Sequence, residues 1–588
     1  FFFLPHARVL PSPQRSCQAL CRVPLHHPRR LRRALAAGCA RTRRRRGGMR
    51  SSSGRGKGGC RCFQPVAVVP VRVLCGRHAR PDCGRRRDLA RVRSPSDLAP
   101  LLRSTRPDVP RNRAGRSHGG ARRRDLSRLL LLLTAHTPGA AGKAVDTGAV
   151  RGWSSWSLCT VKGRPGYGPE WLTASNVDAQ SAALARTLQP HGFDHVDVDS
   201  LWAADAAHHV DLHGRWTHNA TRFPEGMRRL ADTLHSRGQK LGLYLNPGLP
   251  KAAVRAASPV LDSPGCTAAA AAARPLRPAN RFGNAFALNW SSPCAAAYVR
   301  SVAHQFSAEL RADLLKLDAV SPGSEWHGDN ARFVAALSRA LEATGRTVWV
   351  SLSWSIDPAS AAAFVPFANS WRTSDDVECY CDVLERWPAV RRRFAQARPW
   401  LRYSCEAGGS DRACDASRGR PDLDSLDVGN GALDGVSDEE RKSAASLWAL
   451  IGGPLVTGSD LTRLTPSGLA LLTHGGFLAV HRAAGDRTAV PDEQSCAGGG
   501  ECWRLRLPDG SDVWGLFNLR DETARVGFAA AAPFTARDLW SGAGLGPPAA
   551  GFNASLPAHG CILLQARPVA GGGAASWLYT PAPESTRQ

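Results

Sequence analysis

Strand-like and helix-like segments alternate along residues 150–485, and this alternation limits the fold more than any other feature of the sequence. The strand-like runs lie at residues 151–157, 193–202, 240–248, 313–320, 347–354, 370–377, 423–430 and 454–461. Strands that alternate with amphipathic helices form parallel sheets, and eight such units close into a (β/α)8 barrel. A doubly wound open sheet is the alternative, but no Gly-x-Gly-x-x-Gly turn follows a first strand. We therefore predict a TIM barrel.

The helical pattern ends at about residue 487. Short strand-like runs follow at residues 502–507, 513–518, 524–528, 536–539 and 560–566. Turns that contain Pro or Gly separate these runs, which is typical of an antiparallel β-sandwich. We predict a C-terminal β-sandwich domain over residues 487–570 and a tail over residues 571–588.

The net charge of +28 suggests a polyanion-binding protein, but the charge is confined to one part of the chain. Lys and Arg outnumber Asp and Glu by 34 to 6 in residues 1–150, and the two classes are equal at 43 each in the remainder. Residues 1–120 lack sustained apolar periodicity, so we expect a disordered segment. A nucleic-acid-binding arm is the alternative, although no aromatic residues interleave with the arginines. We expect no nucleic-acid partner for the folded part.

Residues 121–145 have the features of a secretory signal: a basic start, a leucine core and small residues beyond it. No stretch reaches the ~20 apolar residues of a membrane span. Three glycosylation sequons begin at Asn219, Asn289 and Asn553. We therefore expect a secreted protein, or one in the lumen of a vacuole or lysosome.

Ten cysteines lie after residue 150. Three pairs are close in sequence: Cys379 with Cys381, Cys405 with Cys414, and Cys496 with Cys502. An even number of cysteines in a chain with a signal-like segment indicates disulfides. Zinc binding is the alternative, but the pairs lack Cys-x-x-Cys spacing and no His-x-x-x-His follows them.

Residues 313–320, DLLKLDAV, carry Lys316 and Asp318 near the C-terminal end of a predicted strand. Side chains two apart share one face of a strand, and these ends carry the catalytic groups of TIM barrels. A structural Lys–Asp ion pair is the alternative. Other acidic residues near predicted strand ends are Asp197, Asp199, Asp375, Asp376, Asp424, Asp427 and Asp460.

Aromatic residues accompany these carboxylates: Trp153, Trp156, Trp202, Tyr244, Trp354 and Trp371. Sugar hydroxyls bind charged acceptors, and the apolar face of a sugar ring stacks on indole. Two carboxylates on opposite sides of a glycosidic bond can act as nucleophile and as acid/base. A single Asp after a strand more often caps a helix or binds backbone amides, but the whole set favours glycoside hydrolysis.

Nine segments, dispersed in order through residues ~150–570, resemble the alpha-galactosidases (melibiases) of glycoside hydrolase family 27. They are RGWSSWS (151–157), GFDHVDVDSLW (192–202), RFPEGMRRLADTLHSRGQKLGLYLNPG (222–248), LLKLDAV (314–320), SWRTSDDV (370–377), DSLDVGNG (424–431), SDEERKSAASLWALIGGPLVTGSDL (437–461), ARDLWSG (536–542) and LPAHGCILLQ (556–565). The resemblance implies a retaining exo-alpha-galactosidase that needs no metal or organic cofactor.

The resemblance also assigns roles to residues. It implies that Asp318 is the nucleophile and Asp376 the acid/base. It implies a sugar subsite lined by Trp156, Asp199, Tyr244, Lys316, Ser353, Arg372 and Asp424. The implied partner is an oligosaccharide or glycoconjugate substrate, with a homodimer as one assembly to be tested.

Several positions depart from the family pattern. Ser200 follows Asp199 where a second acid is usual, Ser353 stands at the Glu of a Cys-Glu-Trp motif, and Ser425 replaces a Met. An Ala-rich insertion at residues 261–279 is expected to form a loop at the barrel mouth. Alternatives are therefore an enzyme for beta-L-arabinopyranosides, alpha-N-acetylgalactosaminides or isomaltose-type glucans, or a carbohydrate-binding pseudoenzyme.

Overall fold

A computed structural model describes residues 150–320, 327–353, 356–404, 419–485, 487–569 and 577–581. The predictions for residues 1–120 and 121–145, the Cys405/Cys414 pair, Trp354 and most of the tail lie outside these ranges. Among the described residues, no helix is long and apolar enough to cross a membrane.

Eight parallel strands form the first sheet, in the order β10-β1-β2-β3-β6-β7-β8-β9. They are β1 (Arg151–Ser154), β2 (His195–Val198), β3 (Lys240–Leu245), β6 (Leu314–Leu317), β7 (Trp349–Leu352), β8 (Ser370–Arg372), β9 (Arg420–Asp422) and β10 (Leu455–Thr457). The backbone N–H of Leu426, just after β9, donates to the carbonyl of Val456 in β10 at 2.8 Å. This contact joins the two ends of the sheet, so the predicted (β/α)8 barrel is confirmed. Two further strands, β4 (Leu249–Pro250) and β5 (Ala285–Phe286), form a separate antiparallel pair after β3.

Helices connect the barrel strands. They are α1 (Trp156–Thr160), α2 (Ala174–Thr187), α3 (Gly226–Ser236), α4 (Lys251–Ala256), α5 (Ala268–Ala271), α6 (Pro293–His304), α7 (His327–Glu342), α8 (Trp387–Ala397), α9 (Leu401–Ser404), α10 (Asp438–Ile451), α11 (Pro466–Leu472) and α12 (Gly475–Gly485). Helix α10 begins with a capping box between Ser437 and Glu440 and ends at Gly452, whose φ of 65° is left-handed.

Gly242 of β3 allows a carboxylate to lie inside the barrel. A Cβ atom at this position would lie 1.9 Å from Oδ1 of Asp197 in β2. Any side chain here would displace Asp197, so the close approach of this carboxylate requires glycine at position 242.

The C-terminal domain is a second, antiparallel sheet. Its strands are β11 (Val490–Pro491), β12 (Cys496–Ala497), β13 (Glu501–Arg506), β14 (Asp512–Phe517), β15 (Ala524–Asp538), β16 (Ala549–Leu556) and β17 (Cys561–Pro568). The β15–β16 register shifts between Ala529 and Phe534, and the two parts of β15 pair with different strands. The indole of Trp514 stacks on Phe528 with ring centroids 4.0 Å apart inside this domain.

Helices α8 and α10 pack against the second sheet. Phe394 of α8 meets Phe517 of β14 edge to face at 4.8 Å, and Trp387 stacks on His559 at 4.6 Å. The hydroxyl of Ser443 in α10 donates to the carbonyl of His559. The barrel and the C-terminal sheet therefore share one continuous hydrophobic core.

Three strand predictions were wrong in extent. The first run ends at Ser154, so Trp156 lies on helix α1 and not on a strand. The run at 423–430 follows β9 and does not form it. The runs at 524–528 and 536–539 belong to one strand. The register shift lets β15 continue through residues 529–533, AAAAP, a segment whose proline predicts the end of a strand.

Disulfides join Cys379 to Cys381 and Cys496 to Cys502, which confirms two predicted pairs. Cys266 pairs with Cys294, a bond that the sequence did not predict. Within the described ranges, Cys159 and Cys561 remain buried thiols.

The three sequon asparagines differ in exposure. Asn289 and Asn553 are exposed, whereas Asn219 is half-buried and accepts hydrogen bonds from the backbone of Thr221 and Arg222. Glycosylation at these positions stays a prediction.

Candidate active site

Asp318 follows β6 at the C-terminal edge of the barrel, and both of its carboxylate oxygens are held. The hydroxyl of Tyr244 donates to Oδ2 at 2.7 Å, and the backbone N–H of Ala319 donates to Oδ1 at 2.7 Å. Ala319 has a φ of 57°, a left-handed conformation that is costly for a residue with a side chain. The backbone is therefore strained at Ala319, the residue whose N–H orients this carboxylate.

The surroundings of Asp318 raise its pKa above the ordinary value. Burial is the largest cause, and the positive charge of Lys316 together with the Tyr244 hydrogen bond opposes it. The negative charges of Asp199 and Asp376 raise the pKa further. The charge of Asp376 thus acts on Asp318, the other candidate catalytic carboxylate.

Lys316 and Asp199 form a salt bridge beside Asp318. Nζ of Lys316 lies 2.8 Å from Oδ2 of Asp199, and the other oxygen of Asp199 accepts the backbone N–H of Ser200. Burial alone would lower the pKa of Lys316, but Asp199 and the other nearby carboxylates raise it. Lys316 is therefore a fixed positive charge in this site.

Arg372 of β8 bridges two carboxylates on the other side of the site. Its Nη2 atom lies 3.0 Å from Oδ1 of Asp376 and 2.5 Å from Oδ2 of Asp424. The hydroxyl of Tyr380 donates to Oδ2 of Asp376. Burial would raise the pKa of Asp376, but Arg372, Lys316 and the Tyr380 hydrogen bond hold it below the ordinary value.

Asp424 is held in an unusual backbone conformation, with a φ of 83°. Its carboxylate accepts the backbone N–H of Val377 at 2.7 Å, and its own N–H donates to Asp422. Indole Nε1 of Trp448 donates to its carbonyl at 2.9 Å. These contacts fix the segment after β9 against the segment that carries Asp376.

An oxygen atom from each of Asp376, Glu378 and Asp424 lies within 4.8 Å of the other two. Three carboxylates at this spacing can hold a metal ion. Here, however, the guanidinium of Arg372 contacts two of the three, so a protein cation already supplies the positive charge.

Ser353 is buried and lies beside the segment that carries Asp318, since its N–H donates to Leu317 and its carbonyl accepts from Val320. Its contact with a sugar stays a prediction. The structure separates several other candidates from the site. Asp460 caps the short helix Leu461–Arg463, and Asp427 accepts the backbone N–H of Gly458. Trp153, Trp202 and Trp371 are buried in the hydrophobic core, so of the described aromatic candidates only Trp156 and Tyr244 are at the site.

Sequence reasoning missed three side chains here: Asn246, Glu378 and Tyr380. The amide of Asn246 donates to the Tyr244 hydroxyl at 2.9 Å. Glu378 is only 5% exposed, and its Oε1 accepts the hydroxyl of Ser157 at 2.8 Å. One signal was available before the structure: Glu378 and Tyr380 come two and four residues after Asp376.

Two family models match the chain in the order of its two sheets. The first, alpha galactosidase A, matches residues 174–258 and 288–483. The second, the alpha galactosidase C-terminal beta sandwich domain, matches residues 497–566. The chain belongs to glycoside hydrolase family 27. It is therefore a glycoside hydrolase, and the predicted C-terminal β-sandwich is confirmed.

Two plant alpha-galactosidases illustrate the similarity of this chain to other proteins. An alpha-galactosidase of Oryza sativa is 25% identical over 432 residues, which cover 70% of this chain and 82% of the rice protein. Alpha-galactosidase 3 of Arabidopsis thaliana is 25% identical over 431 residues, which cover 70% of this chain and 79% of that protein.

Solved structures of the family share the fold. A family 27 beta-L-arabinopyranosidase of Geobacillus stearothermophilus has a TM-score of 0.61 at 24% identity, covering 73% of this chain and 98% of that one. Alpha-galactosidase I of Mortierella vinacea has a TM-score of 0.52 at 21% identity, covering 72% and 98%. At these identities the likeness concerns the fold.

Proposed function

We propose that this family 27 member is a retaining exo-alpha-galactosidase, with Asp318 as the nucleophile and Asp376 as the acid/base. The observation that carries the proposal is the pair of aspartates in one site, each held by a different set of donors. Tyr244 and a backbone amide orient Asp318, whereas Arg372 and Tyr380 hold Asp376.

In the first step, the carboxylate of Asp318 forms a bond to the anomeric carbon. The bond from that carbon to the leaving oxygen breaks, and Asp376 transfers its proton to this oxygen. Asp318 loses its negative charge in this step, which lowers the proton affinity of Asp376. In the second step Asp376 accepts a proton from water, the water oxygen attacks the anomeric carbon, and Asp318 leaves as a carboxylate.

The other side chains would bind the sugar. Lys316 and Asp199 offer a donor and an acceptor of opposite charge, and charge-assisted hydrogen bonds to sugar hydroxyls are strong. Arg372 and Asp424 offer a second such pair beside Asp376. The half-buried indole of Trp156 offers an apolar surface at the rim. Ser353 is a further proposed sugar contact, since its backbone pairs with Leu317 and Val320 on either side of Asp318.

Ser200 favours one alternative sugar class. In the family pattern, a second acid at this position would bind galactose hydroxyls. Here the position is Ser200, whose backbone N–H donates to the carboxylate of Asp199. An enzyme for beta-L-arabinopyranosides, which lack the exocyclic hydroxymethyl group of galactose, is therefore the second candidate.

We further propose that the enzyme acts outside the cytosol. Three disulfides in the described residues and the exposed sequons at Asn289 and Asn553 support an oxidising compartment. The homodimer stays a prediction.

The proposal is tested with nitrophenyl glycosides of alpha-galactose, alpha-N-acetylgalactosamine and beta-L-arabinopyranose. We expect the highest kcat/KM on the alpha-galactoside, and a loss of roughly 10⁴-fold or more in the Asp318→Asn variant with unchanged folding. A preference for the arabinopyranoside would reassign the sugar. Failure to cleave any glycoside would make the protein a carbohydrate-binding pseudoenzyme.

A further inference from the structure

Residues 378–385 form a hairpin at the barrel mouth, directly after Asp376. Glu378 and Glu385 pair as an antiparallel bridge, and the backbone N–H of Cys379 donates to Leu384 at 3.0 Å. The disulfide between Cys379 and Cys381 closes the tip of this hairpin. Tyr380 lies between the two cysteines and has a left-handed φ of 53°. The disulfide therefore restrains the backbone on both sides of Tyr380.

A neighbouring segment holds the hairpin from outside. The backbone N–H of Lys162 donates to the carbonyl of Cys381 at 2.5 Å, and Nε of Arg164 donates to the carbonyl of Asp382 at 2.5 Å. The ammonium of Lys162 lies 5.9 Å from the centre of the Tyr380 ring. Residues 162–164 therefore anchor the tip of the hairpin.

The Tyr380 hydroxyl lies between two groups of the candidate active site. It donates to Oδ2 of Asp376 and accepts from indole Nε1 of Trp156 at 3.2 Å. Tyr380 as a whole is 39% exposed, so incoming substrate can reach it.

The donors around Asp376 determine which of its oxygens can carry a proton. Arg372 contacts Oδ1, and a guanidinium can only donate hydrogen bonds. Oδ1 must therefore remain an acceptor, and the transferable proton must reside on Oδ2, the oxygen that Tyr380 contacts. A phenol can donate to Oδ2 when Asp376 is ionised and accept from it when Asp376 is protonated.

We propose that Tyr380 is a positioning residue for Asp376: it holds the proton-bearing oxygen in both protonation states until the leaving-group oxygen of a bound glycoside replaces it. This inference rests on the proposed acid/base role of Asp376. In the first step the proton moves from Oδ2 to the leaving oxygen, and Tyr380 keeps its own proton. The hairpin and its disulfide hold the hydroxyl in place before substrate binds.

The test is Tyr380→Phe, which keeps the ring and removes the hydroxyl. Without this donor the ionised form of Asp376 is less stable, so the limb of the kcat/KM profile that Asp376 governs should move up by about 1 pH unit. Because the pKa of Asp376 is lowered and that of Asp318 is raised, this is the acid limb. The limb of kcat/KM reports the free enzyme, whereas that of kcat reports the substrate complex, in which Tyr380 has already been displaced. The acid limb of kcat should therefore move much less.

Three variants serve as comparisons. Tyr403→Phe removes a hydroxyl that donates to the carbonyl of Pro358, and it should leave both limbs in place. The double variant Cys379→Ser/Cys381→Ser should move the kcat/KM limb in the same direction as Tyr380→Phe. The matched pair Cys496→Ser/Cys502→Ser, in the C-terminal domain, should not move it.

A second readout does not depend on turnover. The infrared carboxylate bands of each protein are recorded as a function of pH. Subtraction of the spectra of its Asp376→Asn counterpart then gives the ionisation of Asp376. A shift in this titration on Tyr380→Phe supports the proposal even if no glycoside is cleaved, an outcome that would reject only the proposed function. Lower activity with unmoved pH limbs and an unmoved infrared titration would overturn the positioning role.

Discussion

At the scale of single residues, the two aspartates are perturbed in opposite directions. The pKa of Asp318 is raised, chiefly by burial, whereas Arg372, Lys316 and Tyr380 keep that of Asp376 below its ordinary value despite burial. An acid/base must carry a proton in the first step, and the lowered pKa of Asp376 in the substrate-free site disfavours that protonated form. Displacement of Tyr380 by substrate would remove one donor and raise the proton affinity of Asp376 at the moment when a proton is needed.

At the scale of elements, the segment after β3 links the insertion to the candidate nucleophile. The family match is interrupted between residues 258 and 288, and this interval contains α5 and β5. The amide of Asn284 donates to Oδ1 of Asn246 at 3.1 Å, and Asn246 in turn donates to the hydroxyl of Tyr244. Tyr244 then donates to Asp318. Asn284, which lies in this interval just after the Ala-rich insertion at residues 261–279, therefore supports the site.

We expect Asn284→Ala to lower kcat about five-fold with little change in KM. Loss of one hydrogen bond of ~1 kcal/mol releases Asn246, which then holds Tyr244 less firmly against Asp318. Arg255→Ala is the matched control, because Arg255 lies on the neighbouring helix α4 and its side chain donates to the carbonyl of Ala207. An unchanged kcat in Asn284→Ala, measured on the best substrate of the panel, would contradict this role of Asn284.

The sequence predicted elements better than side-chain positions. Strand and helix periodicity located every barrel strand apart from the shift at β9, because burial on both faces gives short apolar runs. Periodicity could not tell which aromatic residues face the mouth, and so Trp153, Trp202 and Trp371 were grouped with Trp156 although they are buried. Tyr380 was missed because its place depends on a hairpin and a disulfide, which local patterns do not determine.

At the scale of the whole molecule, the barrel buries several carboxyl groups whose pKa values are raised. Burial raises the pKa of Asp427 and of Asp434 to about 7, and that of Asp197 to about 6. Burial also raises the pKa values of Glu378 and Glu385 well above the ordinary range. The folded state therefore binds more protons than the unfolded state between about pH 4 and pH 7.

The opposite contribution comes from His481, which contacts Arg151 and Gly453. Burial lowers its pKa to about 3, so it reduces stability only as the pH falls below about 6.5. The buried carboxyls outnumber this histidine. The net expectation is that the protein becomes less stable as the pH rises from about 5 to about 7.5.

We expect the thermal midpoint to fall over this pH interval, and Asp427→Asn to reduce the slope. Each tenfold change in proton affinity between folded and unfolded states contributes about 1.4 kcal/mol. Asp262→Asn is the control, since Asp262 is exposed and should leave the slope unchanged. Scanning calorimetry across the interval checks this; a midpoint that rises with pH, or an equal slope in Asp427→Asn, would contradict it.

The most direct test of the central claim is to trap the glycosyl-enzyme. A ring-fluorinated alpha-galactosyl fluoride slows the second step, so the covalent intermediate accumulates and can be located by mass spectrometry of peptic fragments. We predict one added sugar on the peptide that contains Asp318, and none in Asp318→Asn. A label on another carboxylate, or turnover of the alpha-galactoside with inversion at the anomeric carbon, would contradict it.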